Sequence, residues 1–499
     1  MATDIDTLRG LLGPIADIRS VLGLLEWDQE TYMPPRGGDA RASQIATVSA
    51  IAHREFTNPA LGDILNKLHD KAGDIDPDDA ILVAETLYDY NRARKLPERF
   101  VQELAQEQSR AFQAWVKARA ESAWPVFRPH LEKLVDLLRE KAGLLGYQGS
   151  PYNALLEDFE RGMTAEQLRE IFNDLGARQS KLVKEIADSG RQPGDAWLDQ
   201  HWHEQAQWEF TMLVLKDLGF NLDAGRQDKS PHPFTTTIDI ADVRITTRID
   251  SRNPFKALAG TIHEFGHALY EQNFLEKDRR TPLANAPSLG LHESQSRGWE
   301  NMIGRSLPFW IHYTPLLQQQ FPGHLNDVTA QQVYRVVNRV EPSLIRVDAD
   351  ECTYNLHIIL RFELETALIE GKMNVAEVPD AWNAKVKQYL SIDVPDDARG
   401  CLQDVHWSHA AMGYFPSYAL GNLYAAQMFE VVQQDLPDLW ENVREAEFGP
   451  LREWLRGHVH VHGRRKTARQ LVKEISGKEP SSAPYLSYLE TKYSKLYGI

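Results

Sequence analysis

Nearly every stretch of this chain repeats its apolar residues with the period of an α-helix, and one short run does not. From Pro97 to Ala120 the apolar residues Val101, Leu104, Ala105, Ala111, Phe112, Trp115 and Val116 form one helical stripe. The pattern predicts further helices over Asp78–Lys95, Pro125–Gly143, Pro342–Glu370 and Ala425–Gln434. Thr164 and Gln167 have the spacing of a capping box, with Met163 and Leu168 as its hydrophobic staple. The exception is Phe234–Asp250, which alternates with period two and is rich in Thr, Ile and Val. It reads as two strands joined near Ala241–Asp242. Val243, Ile245, Thr247 and Ile249 share one face of the second strand, and Arg244, Thr246, Arg248 and Asp250 share the other. The expected fold class is mainly α, with a small β-sheet.

The strand pair runs directly into a well-marked helix start. Asn253 suits the cap and Pro254 the first turn. Phe255, Leu258, Ile262, Phe265 and Leu269 then supply an apolar stripe. His263 and His267 lie four apart, so both rings leave one face about a turn apart, the spacing that lets two imidazoles grip one tetrahedral ion. Glu264 stands beside them, placed to act on a water without ligating the ion. A chain with 17 histidines contains His-Glu-x-x-His by chance roughly once in twenty-five such sequences, so the capped, amphipathic context carries as much weight as the motif. A hydrolytic zinc needs a third protein ligand and an open position. Leu291–Asn301 supplies Glu293, with His292 and the more distant Glu300 as alternatives.

Charge and cysteine usage narrow the function classes. The chain of 499 residues has 55 Lys+Arg against 71 Asp+Glu, a net charge of −16. Such a surface disfavours nucleic acid and anionic lipid as partners. The basic cluster at Arg456–Lys466 is short and reads as a solvated face. The two cysteines, Cys352 and Cys401, make no disulfide framework. No apolar run approaches the ~18 residues of a membrane span, and the N-terminus has acidic residues where a signal peptide needs basic ones. The expected location is the cytoplasm.

Further segments give the sequence a family resemblance. His232-Pro233-Phe234, Asp242-x-Arg244-x-Thr246, His292-Glu293-Ser294, Ile345-Arg346-x-x-Ala349-Asp350 and Gly400-x-x-Gln403-Asp404-x-His406-Trp407 occur in this order. Together with Glu26–Gly38 and Tyr152–Met163 they make the chain resemble the carboxypeptidase Taq family of zinc metallocarboxypeptidases over almost its whole length. The resemblance implies a large helical zinc-peptidase fold with a deep groove between lobes, the sheet lying next to the His-Glu-x-x-His helix. It implies a single unit over residues 1–499, with residues 1–150 as a mainly N-terminal helical lobe and 151–499 as the catalytic part. It also implies a homodimer and removal of single residues from peptide C-termini with broad specificity.

Roles follow for individual residues. Zn²⁺, with Co²⁺ or Mn²⁺ as substitutes, is expected on His263, His267 and Glu293, with Glu264 as general base. By analogy with related zinc peptidases, His406 and Tyr414 are expected to face the metal and stabilise the oxyanion; His409 and Tyr418 lie in the same segment. Asp404 orients a histidine or caps a helix. A carboxypeptidase must also hold a terminal carboxylate, best done by arginine. Arg346 is favoured, on a helical stripe with Asp350, Thr353 and His357, and Arg244 and Arg248 are the alternatives. His232 and Tyr418 complete the expected substrate contacts. The competing reading is a zinc endo-oligopeptidase on the same scaffold, which needs no carboxylate anchor.

Overall fold

The structure is a computed structural model describing residues 3–499. It is 69% helix and 3% strand. The elements that build the site are α1 (Asp4–Thr31), β1 (Gly225–Lys229), β2 (Thr235–Asp239), β3 (Asp242–Thr247), α2 (Pro254–Gln272), α3 (Leu289–Arg297), α4 (Tyr354–Ile369) and α5 (Phe415–Asp435). The expected helices over Asp78–Lys95, Pro97–Ala120 and Pro125–Gly143 appear as Pro77–Arg94, Glu98–Glu121 and Trp124–Leu145. Thr164 accepts from the Gln167 backbone N–H while the Gln167 side chain accepts from Thr164, and both Met163 and Leu168 are buried.

The sheet has strand order β1-β3-β2, with β1 parallel and β2 antiparallel to β3. The hairpin turns at Ile240–Ala241, as the alternation requires. Strand β1 escaped the sequence reading. Its residues, Gly-Arg-Gln-Asp-Lys, neither alternate nor favour strands, and it is held only as an edge against Val243–Thr247. The expected polar face of β3 also needs correction. Thr246 is buried, its hydroxyl hydrogen-bonded to Ser230 at 2.6 Å and accepting from the Phe234 N–H at 3.0 Å. Ile249 and Asp250 lie beyond the strand.

The helix expected from Pro342 starts only at Tyr354. Asp350 prevents the earlier start by folding its own turn. Its carboxylate accepts from the backbone N–H groups of Glu341, Cys352 and Thr353 and from the Thr353 hydroxyl. Arg346 sits in a short 3₁₀ turn, Arg346–Asp348, so Arg346, Asp350, Thr353 and His357 do not share a helical stripe, and no Arg346–Asp350 pair forms. In contrast, Ala425–Gln434 is the inner part of the longer α5, which has Pro416 in its first turn.

Two large apolar cores are distinct from each other and from a small cluster of Ala142, Leu145 and Ala154. One gathers Leu8, Leu12, Ile15, Phe56, Leu61, Leu65, Leu82, Val83 and Tyr90 with Leu283. The other runs from Ala111 to Tyr497 and contains the buried faces of α2, α3, α4 and α5.

Candidate metal centre and active site

Helix α2 begins as its sequence dictates. The Asn253 side chain accepts from the Phe255 N–H at 3.0 Å, with Pro254 in the first turn. His263 and His267 leave the same face with ring centroids 4.9 Å apart. Helix α3 brings the third group. Glu293 Oε2 lies 3.5 Å from His263 Nε2 and 3.3 Å from His267 Nε2. The three ligand atoms fall within 4.8 Å of one another. An ion with bonds of about 2.0–2.1 Å to tetrahedral ligands has an edge of about 3.3–3.4 Å, so the two histidine–carboxylate separations fit such an ion, and two imidazoles with one carboxylate would leave its fourth position open.

Close helix contact makes this convergence possible. A Cβ on Gly266 would stand 2.6 Å from the carbonyl oxygen of Gln295 and from Ser296 Cα. A Cβ on Gly421 of α5 would stand 2.4 Å from Glu293 Cγ. Only glycine lets α2 and α5 press against α3 here.

The three candidate ligands are themselves held. Glu300 Oε2 lies 2.9 Å from His263 Nδ1, an arrangement that fixes the imidazole with Nε2 turned to Glu293. Glu300 lies in a π-helical turn, Gly298–Gly304, that continues α3. Arg297 donates to Glu293 Oε1 at 2.7 Å and to Glu300 Oε2 at 3.2 Å, and Arg305 donates to Glu300 Oε1 at 2.9 Å. Burial alone would raise the Glu293 carboxyl, but Arg297, His263 and His267 hold it well below the usual carboxylate range. Burial also pushes the His267 imidazole down to about 3, keeping it neutral, the form that could bind a metal. Glu300 therefore supports His263. His292, the other alternative, bonds Glu271 at 2.8 Å and stacks on His267 at 4.4 Å.

Glu264 points into the same space with a buried carboxyl. Its Oε2 accepts from the Thr235 hydroxyl at 2.6 Å, so strand β2 orients it. Burial raises this carboxyl above its ordinary range, against the lowering pull of His263 and the Thr235 hydroxyl.

A second cluster lies at the N-terminus of α5. His406 Nε2 is 3.3 Å from the Tyr418 hydroxyl, and its ring lies 5.3 Å from that of Tyr414. Burial pushes His406 down to about 4. His409 instead stacks on Phe112 at 5.2 Å. Asp404 neither caps a helix nor bonds His406, from which it stands 4.0 Å away. It accepts from Arg346 at 2.8 and 3.0 Å and from Arg361 Nε at 2.7 Å. Burial opposes ionisation of Asp404, yet the two guanidiniums hold it far below its ordinary value. Arg346 also lies 5.1 Å over the Tyr418 ring.

The remaining expected contacts are more dispersed. Arg244 pairs with Asp242 at 2.8 Å and lies 4.4 Å over Trp27 of α1. Arg248 is exposed past the end of β3, and His232 is exposed in the loop before β2. The sequence reading missed Thr235, Arg297 and Arg361. Only Arg297 leaves a local signal, its i+4 spacing from Glu293.

The sequence matches the carboxypeptidase Taq (M32) metallopeptidase family over residues 7–493. It is 42% identical over 494 residues to thermostable carboxypeptidase 1 of Thermus thermophilus, covering 97% of both chains. It is 38% identical to carboxypeptidase 1 of Bacillus subtilis, covering 98% of this chain and 97% of that one. The crystal structure of an M32 carboxypeptidase from Deinococcus radiodurans R1 superposes with a TM-score of 0.98 at 37% identity, over 100% of both chains.

Proposed function

The chain belongs to the carboxypeptidase Taq (M32) family of metallopeptidases, and is thus a peptide hydrolase; from that premise we propose that it uses zinc to remove single residues from the free C-termini of peptides, with broad specificity. The observation that carries this reading is the convergence of His263, His267 and Glu293 beside the buried carboxyl of Glu264. Zinc, with cobalt or manganese as substitutes, supplies Lewis-acid polarisation of the scissile carbonyl and acidifies water. Glu264, oriented by Thr235, takes the water proton and passes it to the leaving amine. Neutral His406 and the Tyr414 hydroxyl donate to the oxyanion that develops on the substrate. Tyr418 and His232 line the peptide's path.

Arg346 anchors the terminal carboxylate. One carboxylate, Asp404, serves two buried guanidiniums, Arg346 and Arg361, and this arrangement favours a further anion beside them. Arg244 and Arg248 are the alternative anchors. The test follows peptide masses for a free-acid peptide and its C-terminal amide. We expect stepwise loss of single C-terminal residues from the acid and a strongly slowed amide. Equal internal cleavage of both would establish an endo-oligopeptidase instead.

The assembly is a homodimer, on the family resemblance; a monomer mass in light scattering would refute it. No helix among the described residues is long and apolar enough to cross a membrane. Both cysteines are free and buried, in keeping with a reducing cytoplasm. Recovery of the protein outside the cytoplasmic fraction would contradict that location.

A further inference from the structure

One side chain touches both the residues behind the metal ligands and the proposed carboxylate anchor. Tyr354 is the first residue of α4, and it is buried. The guanidinium of Arg297 lies 4.4 Å from the centroid of its ring. Its hydroxyl oxygen accepts from Arg346 Nη1 at 3.0 Å. Arg297 in turn holds Glu293 Oε1 and Glu300, while Arg346 is held by Asp404. The ring also meets Tyr418 edge-on at 6.1 Å.

We infer that Tyr354 is a positioning residue that couples the metal centre to the carboxylate anchor and sets their separation. The inference rests on the proposed role of Arg346. A cation over an aromatic face is held in place without a directional bond. A hydrogen bond from a buried guanidinium to a hydroxyl is directional and stronger than a neutral one. The two contacts use different parts of one rigid side chain, so the phenol acts as a spacer between Arg297 and Arg346. In a carboxypeptidase that separation matters, because the scissile carbonyl belongs to the penultimate residue and the terminal carboxylate to the residue released, so the length of one residue must fit between metal and anchor. Asp350 contributes by fixing where α4 begins: the Tyr354 N–H donates to the Asp350 carbonyl at 2.9 Å, and the Asp350 carboxylate holds Cys352 and Thr353. One short motif, Ile345–Asp350, thereby places Arg346 and Tyr354 together.

The two contacts separate by mutation. Tyr354→Phe removes the hydroxyl and keeps the ring under Arg297; Tyr354→Leu removes both. Arg346→Ala tests the underlying anchor. For each metal-loaded protein, kcat and KM are measured on a free-acid tripeptide, and metal release is followed with a chromophoric chelator. Tyr354→Phe is expected to raise KM about tenfold, the cost of one hydrogen bond from a charged donor, with kcat within about twofold and metal release at the wild-type rate. Tyr354→Leu is expected to raise KM similarly and also to release metal faster. A Tyr354→Phe variant with wild-type KM, beside an Arg346→Ala variant whose KM rises, overturns the inference and leaves the anchor intact. Wild-type KM in Arg346→Ala overturns the anchor, and the inference with it. Wild-type metal release in a folded Tyr354→Leu overturns the link to the metal ligands.

Discussion

At the scale of single residues, Glu264 and its surroundings separate what a sequence shows from what it hides. The Glu264 side chain is identifiable from its place between His263 and His267. The group that aims it, Thr235, lies 29 positions earlier on another element. No spacing rule links a strand threonine to a helix glutamate, so only the fold reveals it. Likewise Arg297, though missed, sits one turn after Glu293 and so leaves a local signal, whereas Arg361 reaches Asp404 across 43 residues and leaves none. The central role is tested by Glu264→Gln, which keeps the shape and removes the base. We expect kcat to fall by about 10²–10⁴, the usual contribution of a general acid–base group, with bound metal unchanged. Turnover near that of the parent enzyme would remove Glu264 from the mechanism.

At the scale of elements, the site depends on three helices meeting more closely than ordinary side chains allow. Gly266 sits one residue before His267, and a methyl group there meets backbone atoms of α3 that cannot swing aside. Gly266→Ala is therefore expected to cost about 1–3 kcal/mol of stability and to weaken metal retention, because α2 and α3 carry the proposed ligands between them. Calorimetry and chelator competition read the two effects; an unshifted melting point would show that the helices yield freely. The helices were legible wherever a 3.6-residue stripe and a cap coincide, as at Thr164 and Asn253. They were misread where a side chain competes for backbone donors, as Asp350 does before α4. The π-helical turn at Gly298–Gly304, which carries the Glu300 that bonds His263, leaves no sequence periodicity.

At the scale of the whole molecule, burial of titratable groups couples the fold to pH. An unfolded histidine takes a proton near pH 6.5, whereas burial holds His406 down to about 4 and His460 to about 3. Between those values the unfolded chain binds more protons at these two sites than the fold, so their contribution to stability rises with pH through this window and falls as pH is lowered. Glu160 and Glu365 act in the opposite sense. Burial pushes both up to about 7, so their contribution is present below pH 4.5 and is lost as pH rises through about 7. His460, bonded to Gln295 at 3.0 Å, isolates the acid side. In His460→Asn the melting temperature should fall less between pH 6.5 and 4.5 than in the parent, whatever its absolute value. An identical slope would remove His460 from the acid response.

The claim beneath all three scales is that α2 and α3 jointly grip one ion. Anomalous diffraction at the zinc edge from crystals of the zinc-loaded enzyme tests it directly. We predict one strong peak per chain, within about 2.0–2.2 Å of His263 Nε2, His267 Nε2 and a Glu293 carboxylate oxygen. A peak elsewhere, or one bound by the histidines with Glu293 turned away, would contradict the account.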